Sequence, residues 1–220
     1  MKKKTHLLKN LSLTELYNEL YSFYGPQHWW PGDTQIEIAV GAILTQNTAW
    51  SNVEKAICNL KKHNMLNAEL IYELPVDRLA ALIRSSGYYN IKAKRIKAFI
   101  EFLFGKYDGS MMSMKEQQTE MLRMELLAIN GIGQETADSI LLYALNKPVF
   151  VVDAYTKRIL SRHGIMDLND PYKEYQKRFH HDLATDVTVF NEYHALLVRV
   201  GKEYCGARPL CKGCPLAIVN

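Results

Sequence analysis

The stretch LLAINGIGQETADSILLYALNKPVFVVDAYTKRIL, residues Leu126 to Leu160, decides the fold. A helical pattern leads into a Gly-Ile-Gly turn, a second apolar helix follows, and a β-branched run then ends on one carboxylate, Asp153. Gly131 and Gly133 permit positive φ and a close approach of the backbone to another surface. The helix behind the turn would present free N–H groups, which make a natural phosphate site. A plain helix-to-helix turn with a glycine cap explains the same residues equally well.

Asp153 also admits two interpretations. Aspartate is a favoured N-cap, and the sequence AYTKRILSRHG after it is a plausible helix. The helix after the glycine turn, Glu135 to Asn146, spans roughly 17 Å at about 1.5 Å per residue, and the chain must then come back. Asp153 is therefore expected near the mouth of the hairpin, partly desolvated by the valines of the 149–152 run. A carboxylate beside a phosphodiester is suited to stabilise a developing cation or to deprotonate a water.

The rest of the chain is helical in pattern. Its 220 residues are 48% hydrophobic, which is ordinary for a globular protein. Apolar residues recur at helical spacing in nearly every segment. The exception is the VFVV run at 149–152, which has no evident strand partner and is interpreted as a buried connector. We therefore predict an all-α protein of about ten helices.

Composition also bears on location and partners. The net charge of +4 permits a nucleic-acid partner without requiring one. No apolar run reaches the length that spans a bilayer. The basic N-terminal residues lead into an amphipathic helical pattern rather than a signal peptide. We expect a cytoplasmic monomer without membrane association.

Four motifs, taken in this order, resemble the helix-hairpin-helix DNA glycosylases of the endonuclease III superfamily. They are GAILTQNTAW at 41–50, GYYNIKAKRI at 87–96, the hairpin at 129–137, and VVD, which ends at Asp153. The resemblance covers about residues 33 to 214.

The resemblance implies a two-domain helix-hairpin-helix DNA glycosylase fold with the active-site cleft between the domains. Residues 37–147 would form a six-helix barrel domain that carries the hairpin. Residues 1–36 and 148–220 would form a second helical domain, which carries the aspartate and a C-terminal cysteine cluster.

The same resemblance implies the chemistry. Asp153 would be the catalytic residue, acting on a flipped damaged base in double-stranded DNA, at the cytoplasmic nucleoid. Bifunctional members carry a lysine at G-x-G-x-K, where this chain has Glu135, and glutamate forms no imine. We therefore expect a base-excision-repair N-glycosylase without AP (abasic-site) lyase activity, similar to the 3-methyladenine branch that excises alkylated purines. An endonuclease III-like glycosylase and AP lyase for another lesion, or a non-catalytic damage-binding protein, are the alternatives.

The remaining site residues follow from the resemblance and from the charge of an alkylated base. Aromatic rings stack on such a base and attract its positive charge. The expected substrate pocket consists of Trp29, Trp30, Trp50, Glu135 and Lys202. The expected DNA-binding residues are Gln46, Tyr88, Asn90, Lys92, Lys94, Gly131, Ile132, Gly133, Gln134 and Thr136. Core packing of the aromatic residues and a solvated face for the lysines are the alternatives.

Two of the DNA-binding residues have a more specific expected role. Gln46 would bond to the base left unpaired by flipping, and Tyr88 would stack or wedge into the space, as residues at these motif positions do in relatives.

Three cysteines, Cys205, Cys211 and Cys214, cluster near the end of the sequence. Many relatives hold a [4Fe–4S] cluster on C-x6-C-x2-C-x5-C. Here the first gap is five residues, and the fourth position falls on Asn220. Three thiolates with an altered gap make a poor four-ligand site, so neither a metal nor a cofactor is favoured. A [4Fe–4S] cluster on the incomplete cysteine set, or zinc, is the alternative.

Overall fold

The computed structural model describes residues 11–29 and 32–217. Within these ranges the regular structure is helical, without strands, which confirms the all-α prediction. The helices are α1 Leu13–Tyr24, α2 Gln35–Leu44, α3 Trp50–Lys62, α4 Ala68–Glu73, α5 Val76–Leu82, α6 Tyr89–Tyr107, α7 Met111–Lys115, α8 Thr119–Ala128, α9 Gln134–Ser139, α10 Ala154–Arg162, α11 Tyr172–Asp182 and α12 Val187–Glu203. A 3₁₀ turn, Arg84–Ser86, precedes α6, and a π-helical segment, Ile140–Ala144, continues α9. None of these described helices is long and apolar enough to cross a membrane.

The chain divides into two compact units. The central unit is residues 30–147, and the terminal unit is residues 1–29 together with 148–220. Residues 32–36, expected in the same domain as the chain ends, belong to the central unit instead. The reason is local: Thr34 caps α2, and Asp33 pairs with Lys61 of α3 at 2.7 Å.

Helix α2 lies at the core of the central unit. Every residue from Ala39 to Leu44 is buried, because α3, α6, α9 and the π-helical segment all pack against this helix. The sequence pattern indicated burial on one face only. Since α2 ends at Leu44, the segment that follows it, with Gln46, is held at a fixed place in this unit.

In the terminal unit, α12 packs against α1 and α10. The approach of α10 to α12 is close, because Gly201 leaves room for Tyr155: a Cβ at position 201 would lie 2.4 Å from its ring. An aromatic cluster completes the core, in which the rings of Phe150 and Phe179 stack with centroids 3.5 Å apart. This packing fixes the start of α10 against the C-terminal part of α12.

The connector, residues 149–152, has no regular secondary structure and is buried, as predicted. It has no sheet to satisfy its backbone, and side chains of α11 do so instead. Phe150 N donates to His180 Nε2 at 3.1 Å, and Gln176 Nε2 donates to Phe150 O at 2.9 Å. A buried backbone needs such partners. The connector therefore delivers Asp153 to the start of α10 in a fixed position.

Candidate active site

The turn at 129–133 joins α8 to α9 and forms the predicted hairpin. Gly131 has φ +86°, as expected, and a Cβ there would lie 2.5 Å from Arg95 Cγ. Gly133, which would also permit positive φ, instead has φ −93°, in the extended N-cap conformation. Apart from Gly133 and its two chain neighbours, no described residue has an atom within 4 Å of the position that a Cβ of Gly133 would take. Gly131 is thus needed by the turn, whereas Gly133 leaves the space before α9 open.

A partly buried ion pair clamps the two helices of the hairpin. Arg123 of α8 donates from Nε to Asp138 Oδ1 at 2.6 Å and from Nη2 to Oδ2 at 3.0 Å. Asp138 is fully buried, and paired hydrogen bonds of this kind fix geometry as well as charge. Nothing in the sequence pattern indicated the pair. It makes the hairpin a rigid element of the central unit.

Gln46 is bonded to the hairpin. Its Nε2 donates to Gly131 O at 3.0 Å and to Thr136 Oγ1 at 2.9 Å. Arg95 of α6 donates to Gln46 Oε1. These four residues form what we call the Gln46 cluster. Both Nε2 and Oε1 of Gln46 are hydrogen-bonded within the central unit. To pair with a base left unpaired by flipping, Gln46 would have to break these bonds.

The structure contradicts the expected DNA contact of Lys92. Its side chain is 1% exposed, and Nζ donates to Leu44 O at 2.8 Å, Ser86 O at 2.7 Å and Thr48 Oγ1 at 2.5 Å. Burial, and secondly the positive charge of Arg95, lower the pKa of Lys92 to about 8. The ammonium is therefore an internal group, because α6 turns this side chain toward the end of α2 and away from solvent.

The other predicted DNA-binding side chains fall into two groups. Those exposed to solvent are Tyr88, Asn90, Lys94 and Gln134, and Tyr88 is 70% exposed. Those buried are Ile132 and Thr136, at 5% and 6%. The side chains of this pair face the interior: Ile132 is buried in the turn, and Thr136 belongs to the Gln46 cluster. A DNA contact of this pair would therefore depend on backbone groups, and Ile132 N already donates to Ile129 O at 3.1 Å.

Trp50 begins α3 and lines a pocket of about 310 Å³ in the central unit. Its Nε1 donates to Glu54 Oε1 at 2.7 Å. Asp33 and Glu37 also line this pocket, as does Lys61, which pairs with both of them. Carboxylates thus outnumber ammonium groups on the described lining. Such a balance favours a ligand with positive charge.

Asp153 is the N-cap of α10. Its Oδ1 accepts hydrogen bonds from Thr156 N at 2.7 Å and from Thr156 Oγ1 at 2.9 Å. Oδ2 lies 3.7 Å from His194 Nε2, and the side chain is 12% exposed. The positive end of a helix favours a negative charge at this position. The cap therefore fixes one oxygen and thereby orients the other, so the capping and catalytic interpretations of Asp153 are compatible.

His194 is the neighbour of Asp153 that sequence patterns did not single out. It is 5% exposed in the middle of α12, and burial lowers its pKa while the charge of Asp153 partly opposes that shift. The imidazole is accordingly neutral at neutral pH. One feature of the sequence indicated that His194 is buried: it lies four residues after Phe190, on the same face of α12.

Of the other described residues expected in the substrate pocket, the structure brings only Lys202 and Trp29 together. In the terminal unit, Lys202 Nζ lies 5.6 Å from the ring centroid of Trp29, within cation–π range. Lys202 is exposed, so the alternative of a solvated ammonium on an apolar stem describes it. Glu135 is exposed in the first turn of α9. Trp30 lies outside the described residues.

The three C-terminal cysteines line one cavity of about 150 Å³ in the terminal unit. Arg162 of α10 donates to Cys205 Sγ at 3.1 Å, which holds the tail against that helix. Burial raises the pKa of Cys214, so this thiol resists ionisation. Among the described residues no group of three or more His, Cys, Asp or Glu converges to hold a metal. A [4Fe–4S] cluster takes four thiolates, and the described residues do not fit it.

The fold and the hairpin are those of a known class of DNA repair protein. Residues 40–183 match the family model described as HhH-GPD superfamily base excision DNA repair protein. The match covers more than half of the chain, so the chain belongs to this family, which confirms the resemblance seen in its motifs. The protein is thus a DNA glycosylase of base excision repair, and DNA is its partner.

Three comparisons show the range of similar proteins. A candidate DNA repair glycosylase of Methanocaldococcus jannaschii is 47% identical over 203 residues, which cover 92% of each chain. The 3-methyladenine DNA glycosylase of H. pylori, solved with 1,N6-ethenoadenine, has a TM-score of 0.77 and 29% identity, over 88% of this chain and 98% of that one. A non-covalent endonuclease III–DNA complex has a TM-score of 0.79 over 94% of each chain. Its 23% identity limits that likeness to the fold.

Proposed function

We propose that the protein is a monofunctional DNA N-glycosylase that removes an alkylated purine, such as 3-methyladenine, from double-stranded DNA by hydrolysis. The observation that carries this proposal is the arrangement of Asp153, whose carboxylate is held by one oxygen and presents the other. The similarity to a 3-methyladenine DNA glycosylase over 88% of the chain supports the substrate class.

The reaction needs little acid assistance. As the bond between C1′ and the purine nitrogen breaks, its electron pair goes to the cationic base, which leaves as a neutral molecule. The sugar then carries an oxocarbenium charge, as in other glycoside hydrolysis. The Asp153 carboxylate stabilises this charge, and water adds at C1′ and gives up a proton. We assign Asp153 to charge stabilisation or to proton removal from water, and both roles require its negative charge.

Glu135 supports hydrolysis rather than lyase chemistry. The G-x-G-x position, where an imine-forming enzyme needs a lysine, is an exposed glutamate in the first turn of α9. A carboxylate cannot attack C1′ to form a Schiff base. Water is therefore the nucleophile in our proposal, and the product is an abasic site in an intact strand.

The pocket beside Trp50 supports a cationic base. Its acidic lining favours positive charge, and an indole ring attracts a cation through its face. We propose that Trp50 contributes to base recognition. A neutral base would be attracted less strongly by the acidic lining and by the indole ring.

We propose that neither a metal nor an iron–sulfur cluster takes part. Cys205, Cys211 and Cys214 supply one thiolate fewer than a [4Fe–4S] cluster takes, and Arg162 already holds the loop that bears Cys205. Iron analysis and the visible absorption spectrum of protein purified without oxygen test this. Iron and sulfide in stoichiometric amounts would contradict it.

The test of the proposed function uses two aspartates that both cap helices in the terminal unit. Asp186 caps α12 by accepting from Val189 N at 2.9 Å, much as Asp153 caps α10. Asparagine caps a helix about as well as aspartate. Asp153→Asn and Asp186→Asn therefore remove the same charge and preserve both caps.

Release of free base from methylated duplex DNA is then measured for both variants. Asp153→Asn should lower the rate by at least about 100-fold, whereas Asp186→Asn should leave it within about twofold. Equal rates for the two variants would contradict a catalytic role for Asp153. Failure of the wild-type protein to release alkylated bases would remove the substrate assignment.

A further inference from the structure

Two loops of the central unit carry Gln46 and Tyr88, the residues that the family resemblance implies would fill the DNA stack after a base is flipped out. The Gln46 loop is residues 45–49, and the Tyr88 loop is residues 86–88. Each contains a non-glycine residue in the left-handed region: Asn47 has φ 51° and Tyr88 has φ 47°. Such conformations persist only where the surroundings hold them, and they concentrate at functional sites. Something in the central unit must therefore hold both loops.

The Lys92 ammonium lies where the two loops meet. It donates to Leu44 O at the end of α2, to Thr48 Oγ1 in the Gln46 loop, and to Ser86 O in the Tyr88 loop. An ammonium has three protons and no acceptor, so this set uses it completely. Thr48 Oγ1 also donates to Ser86 O at 2.6 Å, which joins the loops directly. The two loops thus share one buried junction.

A buried lysine is a costly way to fill this space. All three acceptors are neutral oxygen atoms, and a charge removed from water without an opposite charge lowers stability. A methionine would occupy a similar volume without that penalty. The three directed bonds are what methionine cannot supply, so the loop geometry that they fix accounts for the lysine.

A second cation of α6 acts on the same loop. Arg95 bonds to Gln46 Oε1, and its stem lies against Gly131 of the hairpin. Helix α6 therefore holds the base of the Gln46 loop through Lys92 and its tip through Arg95. Lys94, on the same helix, is exposed and takes no part in this arrangement.

We propose that Lys92 is a positioning residue for damage recognition, which sets Gln46 and Tyr88 in register with each other so that they enter the DNA stack together. The inference rests on the proposed function. It assigns Lys92 no contact with DNA and no part in bond breaking. Its loss should impair recognition of an opened site while folding and general DNA binding are kept.

The test compares Lys92→Met with Lys94→Met, which removes an exposed charge from the same helix. Affinity is measured for an intact duplex and for a duplex with a tetrahydrofuran abasic analogue opposite 2-aminopurine, whose fluorescence reports unstacking. Lys92→Met should lose about tenfold or more of the preference for the abasic duplex, and most of the fluorescence change. Lys94→Met should weaken binding to both duplexes alike, which leaves the preference unchanged.

Unfolding in urea is measured alongside, because a variant that fails to fold says nothing of positioning. If Lys92→Met does not fold, Thr48→Val removes one acceptor and the direct link between loops, and should reduce the same preference about threefold. A folded Lys92→Met or Thr48→Val protein with the wild-type preference would overturn the role of Lys92 and leave the proposed function intact. Absence of any preference in the wild-type protein would instead reject the proposed opening of DNA, and this role with it.

Discussion

Two helices begin a short distance apart in the sequence and do so in opposite ways. In the central unit, the N-cap of α9 is Gly133, which has no side chain and leaves the space before the helix open. In the terminal unit, α10 begins at Asp153, whose side chain accepts the N–H of Thr156. The first start has no side-chain cap, as suits an anion-binding helix start. The second helix start uses an N–H group to fix the carboxylate of Asp153. A helix N-terminus can thus serve binding in one unit and chemistry in the other.

The largest effect should come from Asp153, where the cap and the charge can be separated. Asp153→Ala removes both, and Asp153→Asn removes the charge alone. Both should lower single-turnover base excision by at least about 100-fold. Only the alanine variant should lose stability, by about 1 kcal/mol, because asparagine still caps α10. Excision rates and urea unfolding of both variants measure this. Excision by Asp153→Asn within tenfold of wild type would mean that Asp153 is a cap and nothing more.

The next effect should come from the glycine that the hairpin turn requires. Gly131→Ala should destabilise the protein by about 1–3 kcal/mol, since alanine disfavours positive φ and its methyl group would displace Arg95. Gly133→Ala, at an ordinary φ with open space, is the matched control and should change stability by less than about 0.5 kcal/mol. Thermal or urea unfolding measures both. Equal losses would show that the two glycines do not differ as described.

The neighbour of Asp153 should make stability depend on pH. The pKa of His194 is lowered in the folded protein from its ordinary 6.5. Below pH 6.5, His194 takes up a proton more readily in the unfolded chain than in the folded protein. The free energy of unfolding therefore falls as the pH is lowered, by up to about 1.4 kcal/mol per pH unit.

His194→Gln has no such group and should show a shallower fall in stability over the same pH range. Urea unfolding between pH 5 and 7.5 compares the two proteins. Parallel curves would contradict the neutral, buried state of His194.

The smallest effect should come from the open start of α9. Gly133→Ala should weaken binding to duplex DNA about threefold to tenfold, because the methyl group would hold a phosphate away from the N–H groups. Excision at saturating protein should be almost unchanged. Fluorescence anisotropy with an intact duplex measures the affinity. Unaltered affinity would show that α9 does not present its N–H groups to DNA.

The difference between the two helix starts also shows which features could be predicted from the sequence. Helical periodicity and the order of the motifs were enough for the all-α fold, the hairpin and the buried connector. Asp153 was found with both of its interpretations, since an N-cap and a carboxylate after an apolar run are local features. Gly131 was interpreted correctly for the same reason.

The predictions that failed depended on contacts between residues that are distant in the sequence. Lys92 was expected to contact phosphate because it lies in a basic helix segment, yet α6 turns it toward α2, where it bonds to Leu44 O. The Arg123–Asp138 pair and the approach of His194 to Asp153 could not be predicted either. Periodicity reports which face of a helix is buried, and it does not report which polar groups meet there.

The most direct test of the central claim is to compare base release with strand breakage in a single reaction. Wild-type protein is incubated with methylated duplex DNA, and free 3-methyladenine is measured beside strand breaks, with and without alkali and with borohydride present. Our account predicts released base, abasic sites that break only in alkali, and no protein–DNA cross-link. Strand breaks that keep pace with base release, together with a borohydride cross-link, would contradict it and identify a lyase.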